Sequence, residues 1–445
     1  MKTGINAIGL RLTSNERLEA WIFPILWALL ASAMLVESDV YRYVTIALVI
    51  FAFWRQPSEV RRVSRDWLAV LCYVWSAYVL VRFAIGITVY GEKGSSEWLY
   101  AFPAFFPLVG AALYATRRYL FTAATLLVLA GLVGLLATMD FRAVIEGSLA
   151  PPLFHKNPIH AGVGSSMLFI TALFWLLYAG ETGRLSGRGK WRYVIPACAT
   201  MALGLLGALG AQSKGAWLAL AATLALMGLL ALFHIAGKGR IYLFGGLIVV
   251  GVSAAVVASP YVLKVAGSTV DAAIELTDGA LLTEGPVSAM RSAIEKPSTP
   301  EAMRERLMLW SDALELIQAS SLVGWGNLWL REWRQTTYSS VGFTLIHNGY
   351  LEIMVRHGFL GLTVLAVFAL ASAWRINRAH REGLISMSLA LYLFSISFFF
   401  FATIATNSNN RLAIGESFFI FAAAVVFALT LVRKASLAPG DKPRI

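Results

Sequence analysis

His347 and Asn348 stand at the start of a long apolar stretch, TLIHNGYLEIMVRHGFLG at 344–361. An imidazole has an ordinary pKa of about 6.5, so it can accept a proton from a hydroxyl group near neutral pH. At the junction between a charged loop and a membrane, such a base could act on a substrate that is itself held in the lipid. His347 is therefore the candidate general base, and Asn348 adds a hydrogen-bond donor and acceptor beside it.

Basic side chains recur in the connectors on the same predicted side of the membrane. Cations gathered there suit an anionic lipid head group, and they stabilise a departing diphosphate more strongly in the transition state than in the ground state. Lys214, in the tight turn AQSKGAW, could instead simply extend to the interface. For Arg304 and Arg306, which have glutamates beside them, a solvated helix face is the alternative. The full set on this side is Arg82, Arg142, Lys156, Lys214, Arg291, Arg304, Arg306 and Arg411.

Other titratable groups have simpler expected roles. His155 and His160 flank a proline turn in PPLFHKNPIHAG, where structural hydrogen bonding is the expected role for both. Glu352 and Arg356 are four residues apart on one helical face and can neutralise each other inside a bundle. The sequence contains no HExxH, GxSxG, Walker-type glycine loop or DxD pair. It therefore predicts no metal site and no cofactor.

Composition indicates what must position these groups. The chain has 445 residues, of which 58% are hydrophobic and only 14% charged, and its apolar residues fall in blocks long enough to cross a bilayer. This predicts an all-α polytopic membrane protein. In that class a net charge of +12 indicates cytoplasmic loops rich in Lys and Arg and not a nucleic-acid partner. Cys72 and Cys198 both lie in apolar blocks, so no disulfide framework is indicated.

The apolar blocks predict about 12 transmembrane helices and one long loop. The loop contains an amphipathic segment at 299–319, TPEAMRERLMLWSDALELIQA, in which apolar residues recur at helical spacing. The chain is accordingly divided into a first bundle at 1–258, the long loop at 259–344, and the last helices with the tail at 345–445. The predicted spans are 21–36, 40–54, 67–89, 99–116, 119–138, 161–179, 193–210, 215–234, 241–258, 346–372, 383–402 and 413–432.

Charge asymmetry predicts the orientation. Alternate connectors, such as 55–66 and 180–192, carry most of the Lys and Arg residues, and the two tails belong to this set. By the positive-inside rule both termini are cytoplasmic. The long loop then lies on the outside, together with the basic residues and histidines described above.

Three stretches resemble the outer loop and following helix of the O-antigen ligase and polymerase superfamily: RLMLW at 306–310, ASSLVGWG at 319–326 and HNGYLEIMVRHGFLGL at 347–362. These are bacterial membrane glycosyltransferases that use polyprenyl-diphosphate-linked glycans, and their layout of many spans with one late long loop is similar. SKGAW at 213–217 resembles the family's Ser-Arg-Gly-Ala-Trp turn, with Lys214 keeping the charge but not the bidentate fork. Leu345 stands where some relatives have a second histidine, so only His347 matches the catalytic position.

The resemblance implies a reaction at the periplasmic face of the bacterial inner membrane. The donor is a glycan on undecaprenyl diphosphate, the acceptor is lipid A-core oligosaccharide, and membrane lipids surround both. His347 would deprotonate the acceptor hydroxyl. Lys214 and Arg306, with Arg142 or Arg411, would stabilise the departing diphosphate, and Asn348 would contact substrate. The activated lipid makes a metal or nucleotide cofactor unnecessary, and no nucleic acid is involved.

Other activities share this layout. An O-antigen polymerase and a protein O-oligosaccharyltransferase belong to the same superfamily. The ligase is favoured because there is one long loop late in the chain, and because no large domain follows the last span. A secondary transporter or lipid-linked sugar flippase is the alternative of a different class, for which Arg82, Glu352 and Arg356 within the membrane would be natural. The concentration of charged groups on one side argues against it.

Overall fold

The computed structural model describes residues 14–234, 259–283, 285–342 and 345–437. Across these ranges the chain is helical and contains no strand, and the one isolated bridge pairs Val36 with Phe154. The predicted all-α class is confirmed. Burial is greatest in two helices, Pro158–Glu181 and Ala413–Ser436, which form the centre of the bundle.

Eight of the described helices are long and apolar enough to cross a membrane. Two further predicted spans are also helical: the span at 40–54 falls on the helix Val40–Arg55, which has 16 residues, and the span at 215–234 falls on the helix Lys214–His234. The span predicted at 241–258 lies outside the described residues, so the number twelve stays a prediction. The eight are Glu16–Met34, Trp67–Tyr90, Glu97–Thr138, Pro158–Glu181, Arg188–Gly210, Gly349–Arg381, Met387–Ile404 and Ala413–Ser436.

Glu97–Thr138 is one continuous apolar stretch that contains two predicted spans. It begins with a 3₁₀ segment, Glu97–Phe105, and continues as the helix Phe106–Thr116. A short 3₁₀ turn, Arg117–Tyr119, then leads into the helix Leu120–Thr138. The basic residues of this turn mark the place where the sequence predicted a connector.

The helix Gly349–Arg381, called here the broken helix, is interrupted at Gly358. There φ is 61° and ψ is −160°, a conformation essentially reserved for glycine. The backbone groups that the break frees bond to the long loop: the N–H of Phe359 donates to the Ser321 carbonyl at 2.8 Å, and that of Leu360 to the Leu322 carbonyl at 3.0 Å. The sequence predicted an uninterrupted span at 346–372. The interruption is tolerated because the loop satisfies these backbone groups.

The helix Glu301–Ala319, called here the loop helix, confirms the amphipathic helix predicted at 299–319. Its buried face includes Leu309, Ala313 and Leu316, which pack with Val355 of the broken helix. The loop helix therefore lies against the helical bundle and does not project from it. The long loop contains two more helices, Pro286–Glu295 and Trp329–Trp333.

Replacing Gly358 with Ala should destabilise the protein more than replacing Gly383 with Ala. Both glycines have positive φ, which costs a non-glycine residue about 1–3 kcal/mol. A Cβ at Gly358 would also collide with the backbone of Leu322, whereas nothing lies within 4 Å of one at Gly383. Thermal unfolding midpoints of the two detergent-purified variants measure the difference. Equal midpoints would show that the docking of the loop on the break does not contribute to stability.

Candidate active site around His347

His347 lies two residues before the broken helix and has an unusual backbone conformation. Its φ is +55°, which is uncommon for a residue other than glycine and is held only where the surrounding structure imposes it. On one side the indole N–H of Trp310 donates to the carbonyl of Ile346 at 3.1 Å. On the other side the N–H of Gly349 donates to the carbonyl of Asn407 at 3.1 Å. These two bonds fix the direction in which the imidazole leaves the chain.

Asn348 is the cap residue directly before the broken helix. Its side-chain oxygen accepts hydrogen bonds from the N–H groups of Tyr350, at 3.0 Å, and Leu351, at 3.2 Å. This is the capping arrangement for which asparagine is among the best residues. The predicted contact of Asn348 with substrate stays a prediction, and its carboxamide nitrogen is the group left for it.

The environment of His347 favours the neutral imidazole. Burial lowers the pKa of His347, and the positive charge of nearby Arg306 lowers it further, while a hydrogen bond with Asn407 acts in the opposite direction. The net pKa is below the ordinary value of about 6.5. A neutral imidazole is the form that can accept a proton, so His347 is in its basic form at neutral pH.

Arg306 lies on the loop helix, one turn before Trp310, and is near enough to His347 for its charge to act on the imidazole. Burial lowers the pKa of Arg306, but a guanidinium still keeps its charge at neutral pH. Arg306 is also near enough to Lys214 for the two positive charges to repel each other. The loop helix thus carries a cation that acts on both of the other predicted site residues.

Lys214 is the first residue of the helix Lys214–His234 and lies at the protein surface. Its ammonium group donates to the hydroxyl of Thr269, at 2.7 Å, in the helical segment at the start of the long loop. The next residue, Gly215, lies directly against Thr406. Because Thr406 adjoins Asn407, the turn that carries Lys214 and the loop that contacts His347 are neighbours.

Lys214, Arg306 and His347 therefore form one cluster, which we call the cationic cluster. Within the described ranges, neither Lys214 nor Arg306 forms an ion pair with a carboxylate. Like charges held together cost free energy unless an anion neutralises them. The arrangement suits an anionic ligand placed beside a base.

Arg142 and Arg411, the other two predicted diphosphate ligands, have carboxylate partners. Arg142 is on the short helix Phe141–Glu146, where its side chain is 88% exposed and pairs with Glu146 at 2.7 Å. Arg411 is buried and pairs with Glu352 at 2.7 Å. No contact described in the structure joins either arginine to the cationic cluster, so their binding to a diphosphate stays a prediction.

Arg411 belongs to a network of buried ion pairs, called here the ion network. Glu352 accepts from both Arg411 and Arg356, the latter at 3.1 Å, and Arg356 also pairs with Glu97. The indole N–H of Trp329 donates to the same Glu97 at 3.1 Å. The pairing of Glu352 with Arg356 was predicted from their spacing and is confirmed, but the sequence did not reveal the other two partners.

Arg82 and Asn407 have structural roles that the sequence did not predict. Arg82 donates to the carbonyls of Val323, Gly324 and Arg356, so it holds the loop on the end of the first half of the broken helix. Asn407 contacts His347 from the loop between the last two spans. The sequence feature that could have indicated the role of Asn407 is the polar run TNSNN at 406–410, which lies between two apolar blocks.

A family model described as O-antigen ligase matches residues 199–366. This range contains the three members of the cationic cluster, but neither Arg142 nor Arg411. No curated protein matches the chain. The match confirms the resemblance to the O-antigen ligase and polymerase superfamily, and it supports a membrane glycosyltransferase of that type.

Replacing Arg411 with Gln should destabilise the protein, whereas replacing Arg306 with Gln should not. The first change removes a partner of the buried Glu352 carboxylate, and breaking a buried pair costs up to about 3–5 kcal/mol. Thermal unfolding midpoints in detergent compare the two variants. If both midpoints equal that of the wild type, the ion network does not hold the fold together in the way described.

Proposed function

We propose that this chain, which belongs to the O-antigen ligase and polymerase superfamily, transfers a glycan from undecaprenyl diphosphate to lipid A-core oligosaccharide. The observation that carries the proposal is the cationic cluster: a neutral imidazole close to Arg306, which is in turn close to Lys214. Neither cation has a carboxylate partner in the described part of the chain. A base and an anion site in contact are what this displacement requires. The cluster lies entirely within the range matched by the family model.

In the proposed reaction His347 takes the proton of the acceptor hydroxyl. The hydroxyl oxygen attacks the anomeric carbon of the donor sugar, and the bond from that carbon to the diphosphate oxygen breaks. The electron pair of this bond remains on the leaving diphosphate, whose added charge is stabilised by Lys214 and Arg306. One glycosidic bond forms, one glycosyl–phosphate bond is lost, and the proton on His347 is released to the diphosphate or to water. The mechanism assigns no step to a metal or cofactor.

The position of the cluster suits substrates that are lipids. Lys214 begins one apolar helix, and His347 lies two residues before the broken helix, so both would lie where helices enter the membrane. A diphosphate head group could reach them while its lipid tail stays in the bilayer. With both termini in the cytoplasm, as the charge asymmetry indicates, this end of the bundle faces the periplasm from the inner membrane.

An assay with one donor and several acceptors tests the activity. Purified protein would be given undecaprenyl-diphosphate-linked glycan with lipid A-core, with a second carrier-linked glycan, or with a peptide that contains Ser and Thr. We expect the glycan on lipid A-core. Product on the carrier would indicate the polymerase, and product on the peptide the oligosaccharyltransferase. Movement of the donor across liposomes without a new glycosidic bond would indicate a flippase.

Replacing His347 with Ala should slow transfer by roughly 100- to 10,000-fold, because general base catalysis contributes rate factors of that size. His347→Gln should fail similarly, since an amide cannot take up the proton. The matched control is His380→Ala, at the far end of the same helix. Binding of the donor is measured separately: an inactive variant that no longer binds donor would make His347 a binding residue, and full activity would remove it from the mechanism.

Replacing Arg306 with Gln should shift the acidic limb of the pH–rate profile to higher pH. The charge of Arg306 lowers the pKa of His347, so its removal raises that pKa, and the base is then lost to protonation at a higher pH. Arg306→Lys keeps the charge and should leave the limb near its wild-type position. The measurement is the residual kcat/KM of each variant as a function of pH. If the acidic limb of Arg306→Gln lies at the same pH as that of the wild type, a group other than His347 determines the limb.

A further inference from the structure

Glu37, His155 and His160 come together at a second place on the bundle. Each offers one ligand atom that lies within 4.8 Å of those of the other two. The imidazole Nδ1 of His160 is 3.9 Å from a carboxylate oxygen of Glu37, and the two imidazole rings are 6.0 Å apart at 82°. The three residues come from separate parts of the chain: the connector after the first helix, the loop at 147–157, and the first turn of the helix Pro158–Glu181.

The orientation of His155 is set by one hydrogen bond that leaves its other nitrogen without a partner. Its Nε2 is 3.1 Å from the carbonyl oxygen of Met34, and because a carbonyl can only accept, Nε2 carries the hydrogen. Nδ1 then presents a lone pair. This atom is buried and has no hydrogen-bond partner among the described residues. Leaving a buried acceptor unsatisfied costs about 1–3 kcal/mol, so the arrangement calls for a ligand.

A metal ion would use this lone pair. Histidines that bind metals usually donate their other N–H to a carbonyl or carboxylate, as His155 does to Met34. They bind as the neutral imidazole, and burial lowers the pKa of His155, which favours that form. The expected role in structural hydrogen bonding accounts for Nε2 of His155, but not for its Nδ1.

We propose that Glu37, His155 and His160 form a binding site for a divalent transition metal, best suited to zinc. Two histidines and one glutamate are a donor set that zinc uses, with water as the fourth ligand. Zinc bonds of 2.0–2.1 Å place tetrahedral ligand atoms about 3.3 Å apart. The three donor atoms must therefore close by less than about 1.5 Å. Glu37, whose side chain is 45% exposed, can move toward the histidines, and rotation of the imidazoles must close the distance between the two histidines.

Such an ion would take no part in the proposed transfer. It would instead join parts of the chain that pack against the AQSKGAW turn, which carries Lys214. The helix that carries His160 packs closely on that turn, since a Cβ placed at Gly162 would lie 2.9 Å from the Cβ of Ser213. The donor set includes no member of the cationic cluster. The site is therefore a cross-link between the connector of Glu37 and the start of the helix Pro158–Glu181.

The test is binding of zinc ion alone to full-length protein that has been stripped with chelator in detergent. Wild type should bind one equivalent, and cobalt in its place should give the visible absorption of a tetrahedral site. Replacing His160 with Ala removes a direct ligand, so affinity should fall by more than the roughly 10- to 100-fold typical of losing a supporting hydrogen bond. His380→Ala, which removes a histidine outside the site, should bind as the wild type does.

Glu37→Gln is the variant to use if the histidine variants fold poorly. Because Glu37 is at the surface, we expect this substitution to leave folding intact. Its unfolding midpoint without metal should equal that of the metal-free wild type, and zinc should raise the midpoint of the wild type far more than that of the variant. Absence of stoichiometric zinc in the wild type would overturn the proposal. So would equal affinity in wild type, His160→Ala and Glu37→Gln.

Discussion

The pairing of Glu352 with Arg356 and Arg411 is the interaction on which the end of the bundle that carries the candidate site depends. Buried charges are tolerated within a helical bundle only when they are paired, and one carboxylate here serves two guanidinium groups. Through Glu97 and Trp329 the same ion network reaches the long loop and the 3₁₀ segment before Phe106. Four parts of the chain are thereby tied together around one buried centre: the broken helix, the loop of Arg411, the 3₁₀ segment and the long loop.

The basic residues of the ion network differ from those of the cationic cluster in whether they pair with a carboxylate. Arg356 and Arg411 are neutralised by carboxylates and hold the elements in place, whereas Arg306 and Lys214 have no such partner in the described ranges. The loop from Asn407 to Arg411 links the two groups, since one end contacts His347 and the other joins Glu352. A rigid paired framework thus supports a cluster whose charges are available to a ligand.

Local patterns in the sequence predicted the elements well, but not how distant elements meet. Runs of apolar residues located the helices, and the amphipathic spacing of 299–319 located the loop helix. His347, Lys214 and Arg306 could be selected because each stands at a helix end or on a helix of the loop. The partnership of Arg411 with Glu352 joins residues 59 positions apart and leaves no periodic signal. The break at Gly358 was equally hidden, because one glycine in an apolar run does not show that a loop packs against it.

The repulsion within the cationic cluster implies that, in the proposed mechanism, the donor binds before His347 becomes a strong base. Without a ligand, the charge of Arg306 holds the pKa of His347 down, which keeps the imidazole neutral but makes it a weaker base. A diphosphate bound between Lys214 and Arg306 would offset that charge and raise the pKa again. The base would then be strongest when the donor is in place and the acceptor hydroxyl must lose its proton. The same two cations would thus bind the leaving group and couple its arrival to the strength of the base.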